Sequence, residues 1–171
     1  MKSLITVLLA VALLLGAAAV GHAIHETIPS ETQATMPGAD AVKLYEYITR
    51  YEPYEKWSLW PGKGRLYEGT EPHGALLTTY VNDTALGAIR EMASELPEGS
   101  IIAKENYTQD KEFVALTVMY KIEGYNPEGG DWFWAKYGPK GDVQASGMVE
   151  GCLKCHGKVS DMDYLWSRKL R

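Results

Sequence analysis

Two cysteines and a histidine stand together near the end of the chain, as Cys152-Leu153-Lys154-Cys155-His156. Two thiols separated by two residues can each bond a vinyl group of one porphyrin, and a histidine directly after the second thiol can bind the iron. This Cys-x-x-Cys-His spacing is the attachment signature of haem c. The motif therefore predicts one covalently bound haem c, attached to Cys152 and Cys155, with His156 as the iron ligand.

Three other uses of a cysteine pair are weaker. A structural zinc site needs four ligands, and outside the motif the mature chain offers only His25 and His73 as further histidines or cysteines. A thioredoxin-like redox pair is expected at the start of a helix in a βαβ unit, whereas these cysteines follow the last predicted strand. A plain disulfide is the third alternative, and two cysteines are too few for a disulfide-stapled scaffold.

The N-terminal segment indicates the compartment. Lys2 precedes an apolar run from Leu4 to Val20, and Gly21-His22-Ala23 follows. A basic start, an apolar stretch and small residues three and one before a cleavage point describe a secretory signal peptide. We predict cleavage after Ala23 and a periplasmic or otherwise exported protein, with an uncleaved membrane anchor as the alternative.

Composition limits the classes of partner. The chain has 171 residues, with 17 Lys or Arg against 22 Asp or Glu, for a formal net charge of −5. This acidic balance argues against a nucleic-acid surface. The length that remains after a signal peptide suits one domain with a hydrophobic core.

The elements that position the haem motif alternate between short strands and turns. Helices are predicted over 39–51 and 84–96, the second with Asn82 or Asp83 as its N-cap. Between the first helix and the first strand, 52–73 is rich in aromatic residues, Gly and Pro, and is predicted to be an ordered loop over the core. The predicted strands are 75–81, 100–107, 113–122, 131–137 and 143–149.

Short turns between strands favour antiparallel pairing. The predicted fold class is therefore α+β, a predominantly antiparallel sheet with two or three helices in a single domain. The predicted boundaries are a signal peptide at 1–23, a flexible leader at 24–38 and a haem domain at 39–171.

Four segments, in this order of elements, resemble the cytochrome P-460 family, which includes the cytochromes c′-beta. They are 73–82 (HGALLTTYVN), 97–105 (PEGSIIAKE), 131–134 (DWFW) and 152–156 (CLKCH). The resemblance covers roughly residues 70–160. It implies a mainly antiparallel fold, often a homodimer, that holds one haem.

In the lysine-crosslinked members of that family, a lysine on the strand after a Pro-x-Gly turn bonds to the porphyrin edge, and Lys104 has that position. Strand alternation places Ile102 and Asn106 on the same face as Lys104, and Glu105 on the opposite face. The resemblance therefore implies that Lys104 faces the haem, with a crosslink as a further hypothesis. The alternative is an edge lysine that discourages pairing between sheets.

The resemblance also bears on the distal side of the haem. Hydroxylamine-oxidising members have an acidic residue there, which can accept a proton. Alignment with the family puts Leu116 at that place, and 113–119 contains no acidic residue. The resemblance therefore implies the c′-beta type, a five-coordinate haem whose apolar distal pocket includes Leu116 and binds nitric oxide or a similar small ligand.

Two other functions remain open. One is an oxidoreductase acting on hydroxylamine or a related nitrogen compound with a Lys104-crosslinked haem. The other is a plain electron-transfer cytochrome that serves a redox partner protein and has a methionine as sixth ligand. His73 is expected to pack in a loop, with closing a pocket or binding a propionate as its alternatives. The candidate methionines are Met36, Met92, Met119, Met148 and Met162.

Overall fold

The computed structural model of the protein describes residues 35–167. The predicted signal peptide, and the predicted leader up to residue 34, therefore lie outside the described residues. Within the described range, no helix is both long enough and apolar enough to cross a membrane.

One antiparallel sheet of seven strands dominates residues 35–167. The strands are β1 (Ser58–Leu59), β2 (Tyr67–Glu68), β3 (Leu76–Val81), β4 (Ile101–Tyr107), β5 (Phe113–Lys121), β6 (Trp132–Tyr137) and β7 (Val143–Gly147). Both β1 and β2 pair with β3 at one edge, and β4 to β7 follow in chain order. Together with the helices, this sheet confirms the predicted α+β class.

Three α-helices accompany the sheet in the described residues. They are α1 (Ala41–Glu46), which continues as a π-helical turn, α2 (Asp83–Glu91) and α3 (Glu150–His156). Asn82, one of the two predicted N-caps, caps α2 by accepting a hydrogen bond from the backbone N–H of Ala85. The helix ends at Met92, earlier than predicted, because Met92 adopts a left-handed conformation with φ of 54°.

The two faces of the sheet serve different purposes. On β4, Ile101 and Ala103 belong to a core with α1, while Ile102 belongs to a second core with α2 and α3. The predicted alternation of β4 is thereby confirmed. The same rule separates Phe133 from Trp132 and Trp134, since Phe133 packs in the first core and its two neighbours in the second.

The face with α1 also buries a carboxylate. Glu105 is 8% exposed, and it accepts hydrogen bonds from the hydroxyls of Tyr54 (3.2 Å), Tyr80 (3.1 Å) and Tyr107 (2.7 Å). Arg65 in turn donates a hydrogen bond to the Tyr80 hydroxyl. These donors satisfy a charge that would otherwise be costly to bury, so this cluster has a structural role on the face away from the haem motif.

Candidate haem site

A largely apolar cavity of about 170 Å³ lies between the sheet and α3. Cys152, Cys155 and His156 line it, and so does Lys104 from β4. The structure therefore brings together four of the five residues that the sequence analysis selected, although about fifty positions separate Lys104 from the motif.

Helix geometry explains how the motif presents its three groups. Positions three and four apart share one face of a helix, and within α3 Cys155 and His156 stand three and four residues after Cys152. All three consequently reach the same cavity. Leu153 packs against the second core and holds the helix on the sheet.

His156 is held in one orientation. Its Nδ1 donates a hydrogen bond to the backbone carbonyl of Tyr164 at 2.7 Å, because a carbonyl can only accept. The ring packs on Trp134, with ring centroids 4.6 Å apart. Burial lowers the pKa of His156, so the neutral ring keeps the lone pair on Nε2, the arrangement a metal-binding histidine needs.

The carbonyl of Tyr164 is itself fixed by its neighbour Asp163. The Asp163 carboxylate forms an ion pair with Lys121 at 2.6 Å and accepts the backbone N–H of Leu96 at 2.8 Å. Lys121 also lies over the ring of Trp132, 4.9 Å from its centroid. Buried groups on β5 and β6 thus anchor the turn that orients His156.

Lys104 is a partly buried cation in the cavity wall. On β4 it stands between Thr79 of β3 and Thr117 of β5. Burial, and secondarily the positive charge of Lys63, lowers the pKa of Lys104 to about 8. Its amine therefore holds its proton less firmly than an ordinary lysine and is the more available for bonding.

Leu116 is not at this site, and the prediction that it forms the distal wall needs correction. It pairs with Glu105 across β4 and β5, packs in the core with α1, and is 2% exposed. Adjacent residues of a strand point to opposite faces, so the side chain beside it, Thr117, lines the cavity instead. An alignment error of one residue is enough to produce this inversion.

His73 is a site residue that the sequence analysis did not select. It lines the cavity, and its Nδ1 lies 3.0 Å from the Oδ1 of Asn106. Burial, with a smaller effect of the nearby Lys104 charge, lowers the pKa of His73 to about 4, so the ring is neutral near pH 7. The available signal was the His-Gly pair directly before β3, because Gly74 lets the backbone approach β4 closely.

The candidate methionines differ in whether they line the cavity. Met119 lines the cavity, whereas Met36, Met92 and Met148 are exposed, and Met162 is not among the cavity residues. Met92, for example, is 49% exposed at the C-terminal end of α2. Met119 is the methionine that could approach a group held by the motif.

The competing cysteine chemistries have little support in the geometry. Among residues 35–167, no group of three or more His, Cys, Asp or Glu side chains is placed to hold a metal ion on its own. The two thiols are free rather than joined in a disulfide. Burial raises the pKa of Cys152, which is the opposite of what an activated redox cysteine requires.

Comparison with known proteins decides the family. The family model for cytochrome P460 matches residues 52–167. The chain belongs to the cytochrome P460 family. No curated protein matches the sequence significantly. This family member is a haem-binding cytochrome, as the family implies.

The residues present fit a haem. A porphyrin supplies four ligands to its iron, so the protein needs to provide only an axial one, which the free Nε2 of His156 can be. Apolar side chains such as Trp60, Ile102 and Leu165 provide a wall suited to a flat apolar ring. Lys104 and Lys136 add positive charge that suits the carboxylates such a group carries.

Proposed function

We propose that this cytochrome P460 family member is an exported protein with one haem c, bonded to Cys152 and Cys155, and that its iron is ligated by His156. Its function is to bind nitric oxide or a similar small ligand at that iron. The observation that carries the proposal is the cavity, which is lined by both thiols and by a histidine whose Nε2 is free.

The lining of the cavity favours gas binding over proton-coupled oxidation. Among the described residues that line it, none is an aspartate or glutamate, so the acidic proton acceptor expected in hydroxylamine-oxidising members is missing. The neutral imidazole of His73 is a weak base, with a pKa lowered to about 4. Apolar walls exclude water and suit a neutral diatomic ligand.

The test uses the full chain expressed with c-type maturation factors. We expect the haem to remain with the denatured protein, to be held by one bond fewer in Cys152→Ala or Cys155→Ala, and to be lost from the double variant. Lys154→Ala, an exposed position on the same helix, is the matched control. The ferrous protein should change its absorption spectrum in proportion to added nitric oxide. Haem that extracts freely would refute covalent attachment, and an unchanged spectrum would refute gas binding.

A second candidate is oxidation of hydroxylamine or a related nitrogen compound. Its support is Lys104, whose amine lies in the cavity with a pKa lowered to about 8 by burial. A bond from this amine to the porphyrin edge replaces one N–H and one C–H, and the two electrons and two protons pass to an oxidant of the peroxide class. Mass spectrometry of the digested protein distinguishes a haem joined to the Lys104 peptide from one joined to the Cys152 peptide alone.

A plain electron carrier with a redox partner protein is the third candidate, and Met119 in the cavity wall is what favours it. Its spectrum would be low-spin and would lose that character in Met119→Leu. A homodimer, as in related cytochromes, is compatible with each candidate, and sedimentation of the purified protein tests it.

A further inference from the structure

A tight turn places His73 against the sheet. Gly74 follows it, and a Cβ at this glycine would lie 2.5 Å from backbone atoms of Tyr107 on β4. Only glycine therefore allows the chain to approach this closely. The N–H of Gly74 lies 3.3 Å from the Oδ1 of Asn106, which joins the turn to the same strand.

The hydrogen bonds of Asn106 determine the tautomer of His73. The Nδ2 of Asn106 donates to the backbone carbonyls of Lys104 (2.9 Å) and Ala115 (3.2 Å), which can only accept. Oδ1 is consequently the acceptor toward His73, and the Nδ1 of His73 carries the hydrogen. The lone pair of the neutral His73 ring is therefore on Nε2.

His156 has the same arrangement from the opposite side. Its Nδ1 is occupied by the carbonyl of Tyr164, and within residues 35–167 no hydrogen-bond partner is found for the Nε2 of either histidine. Two neutral imidazoles, each with a fixed donor and a free Nε2, thus line one cavity.

The separation of the rings matches a metal held between them. The ring centroids of His73 and His156 are 6.3 Å apart, with an angle of 89° between the ring planes. An imidazole nitrogen binds a metal at about 2 Å and lies about 1 Å from its ring centre, so two histidines on opposite sides of one metal have centroids about 6 Å apart. A diatomic ligand between His73 and the iron would need a wider gap.

Lys104 lines the same cavity as the two rings. It lies on β4, two residues before the Asn106 that holds His73. A flat group that stands between the two rings would therefore present an edge to Lys104, in agreement with the strand position of that lysine.

Resting on the haem proposed above, we infer that His73 is the second axial ligand, binding the iron through Nε2 on the face opposite His156. The resting haem is then six-coordinate and low-spin, in place of the open distal side that the sequence resemblance implies. A small ligand reaches the iron only when His73 leaves it.

The experiment compares the haem-loaded wild-type protein with His73→Leu by absorption and electron paramagnetic resonance spectroscopy. We expect a low-spin wild type and a high-spin variant. When His73 occupies nine in ten irons, the apparent affinity for carbon monoxide falls about tenfold, so His73→Leu should bind carbon monoxide at least about tenfold more tightly. A high-spin wild type would overturn the inference.

Two matched variants separate His73 from the other possible ligands in the cavity. Met119→Leu removes the sulfur and Lys104→Met removes the amine, and both should leave the low-spin spectrum in place. Loss of the low-spin spectrum in either, with no change in His73→Leu, would refute His73 as ligand. Near-infrared magnetic circular dichroism of the wild type identifies the ligand pair even when a variant fails to fold.

The outcomes keep this inference distinct from the proposed function. Nitric oxide binding to a high-spin wild type would support the function and refute the His73 ligand. A low-spin wild type that does not bind nitric oxide, together with a His73→Leu variant that does, would support His73 as an iron ligand. The same result would refute gas binding as the role of the native protein.

Discussion

Burial of the Lys104 amine lowers the stability of the folded protein and also makes the amine more available for bonding. An unfolded lysine keeps its proton up to its ordinary pKa of 10.5, whereas burial makes the folded protein release it near pH 8. Between these values the unfolded chain binds more protons, so stability rises with pH. Below pH 8 the folded state bears the full cost of a poorly solvated charge.

Lys104→Met should therefore raise the denaturant midpoint at pH 7 and flatten the rise in stability between pH 8 and pH 10. The measurement is urea unfolding of the haem-loaded protein at pH 8 and at pH 10. Mass spectrometry first verifies that Lys104 carries no modification. Lys136→Met, an exposed position that also borders the cavity, should keep the wild-type pH profile. The same profile in both variants would contradict this account.

Leu116 illustrates the opposite case, a residue with a large structural role and none at the haem. Because it is 2% exposed in the core with α1, Leu116→Ala should lower the free energy of unfolding by about 2–5 kcal/mol. Its side chain faces away from the cavity, so the absorption spectrum and the nitric oxide titration should stay unchanged.

Met119→Ala is the matched truncation for Leu116→Ala, because Met119 lies on the same strand but lines the cavity. It should also be destabilising, and it should change ligand binding as well. An altered nitric oxide titration in Leu116→Ala would contradict the strand register that turns Leu116 away from the cavity.

At the scale of elements, α3 depends on a turn that is held by groups from other parts of the fold. Lys121 and Asp163 have side chains that are 10% and 2% exposed. Removing one partner of a buried pair leaves an uncompensated charge, whereas removing both is much less costly. The turn that presents the Tyr164 carbonyl to His156 is thus secured by an ion pair between β5 and the chain after α3.

Lys121→Met should cost about 3–5 kcal/mol, and Asp163→Asn a similar amount. The double variant should cost clearly less than the sum of the two, since neither charge then remains alone. Asn tolerates the left-handed conformation at position 163, where φ is 55°. Unfolding of the four proteins, followed by the haem band, measures the coupling. Strictly additive costs would show that the ion pair does not hold the turn.

At the scale of the whole molecule, the sheet separates two functions. One face carries a closed core with α1 and the Glu105 cluster, and the other carries the cavity with α3. Successive side chains of a strand point to opposite faces of the sheet, so a single strand such as β4 contributes Lys104 to one face and Glu105 to the other.

The proposed export concerns the whole chain and is tested at its N-terminus. We expect the periplasmic fraction to contain protein that begins at Ile24, because Gly21 and Ala23 provide the small residues that a signal peptidase needs. Intact mass spectrometry of that fraction measures the N-terminus. Ala23→Arg should block cleavage and leave the uncut chain with the membrane. A wild-type mass that still includes residues 1–23 would contradict cleavage.

Patterns among residues close together in the sequence predicted the haem motif, the alternation of β4, the cap of α2 and the fold class. The spacing Cys152-x-x-Cys155-His156 points to haem chemistry through bond geometry alone, since the three groups are covalently close. Strand alternation on β4 was confirmed, and of the two predicted N-caps the structure has Asn82. Each of these features depends on neighbours within a few residues. The α+β class followed from the short turns between strands.

The tertiary structure decided what meets across the sequence. Leu116 or Thr117 faces the cavity according to a register that shifts by one residue with any loop error, and only the observed pairing with β4 resolves it. His73 meets His156 because a glycine allows one turn to press against β4 and a buried ion pair fixes another. Those contacts join residues far apart in the chain. The His73-Gly74 pair indicates a close backbone approach, but the sequence alone does not show which strand or side chain lies opposite it.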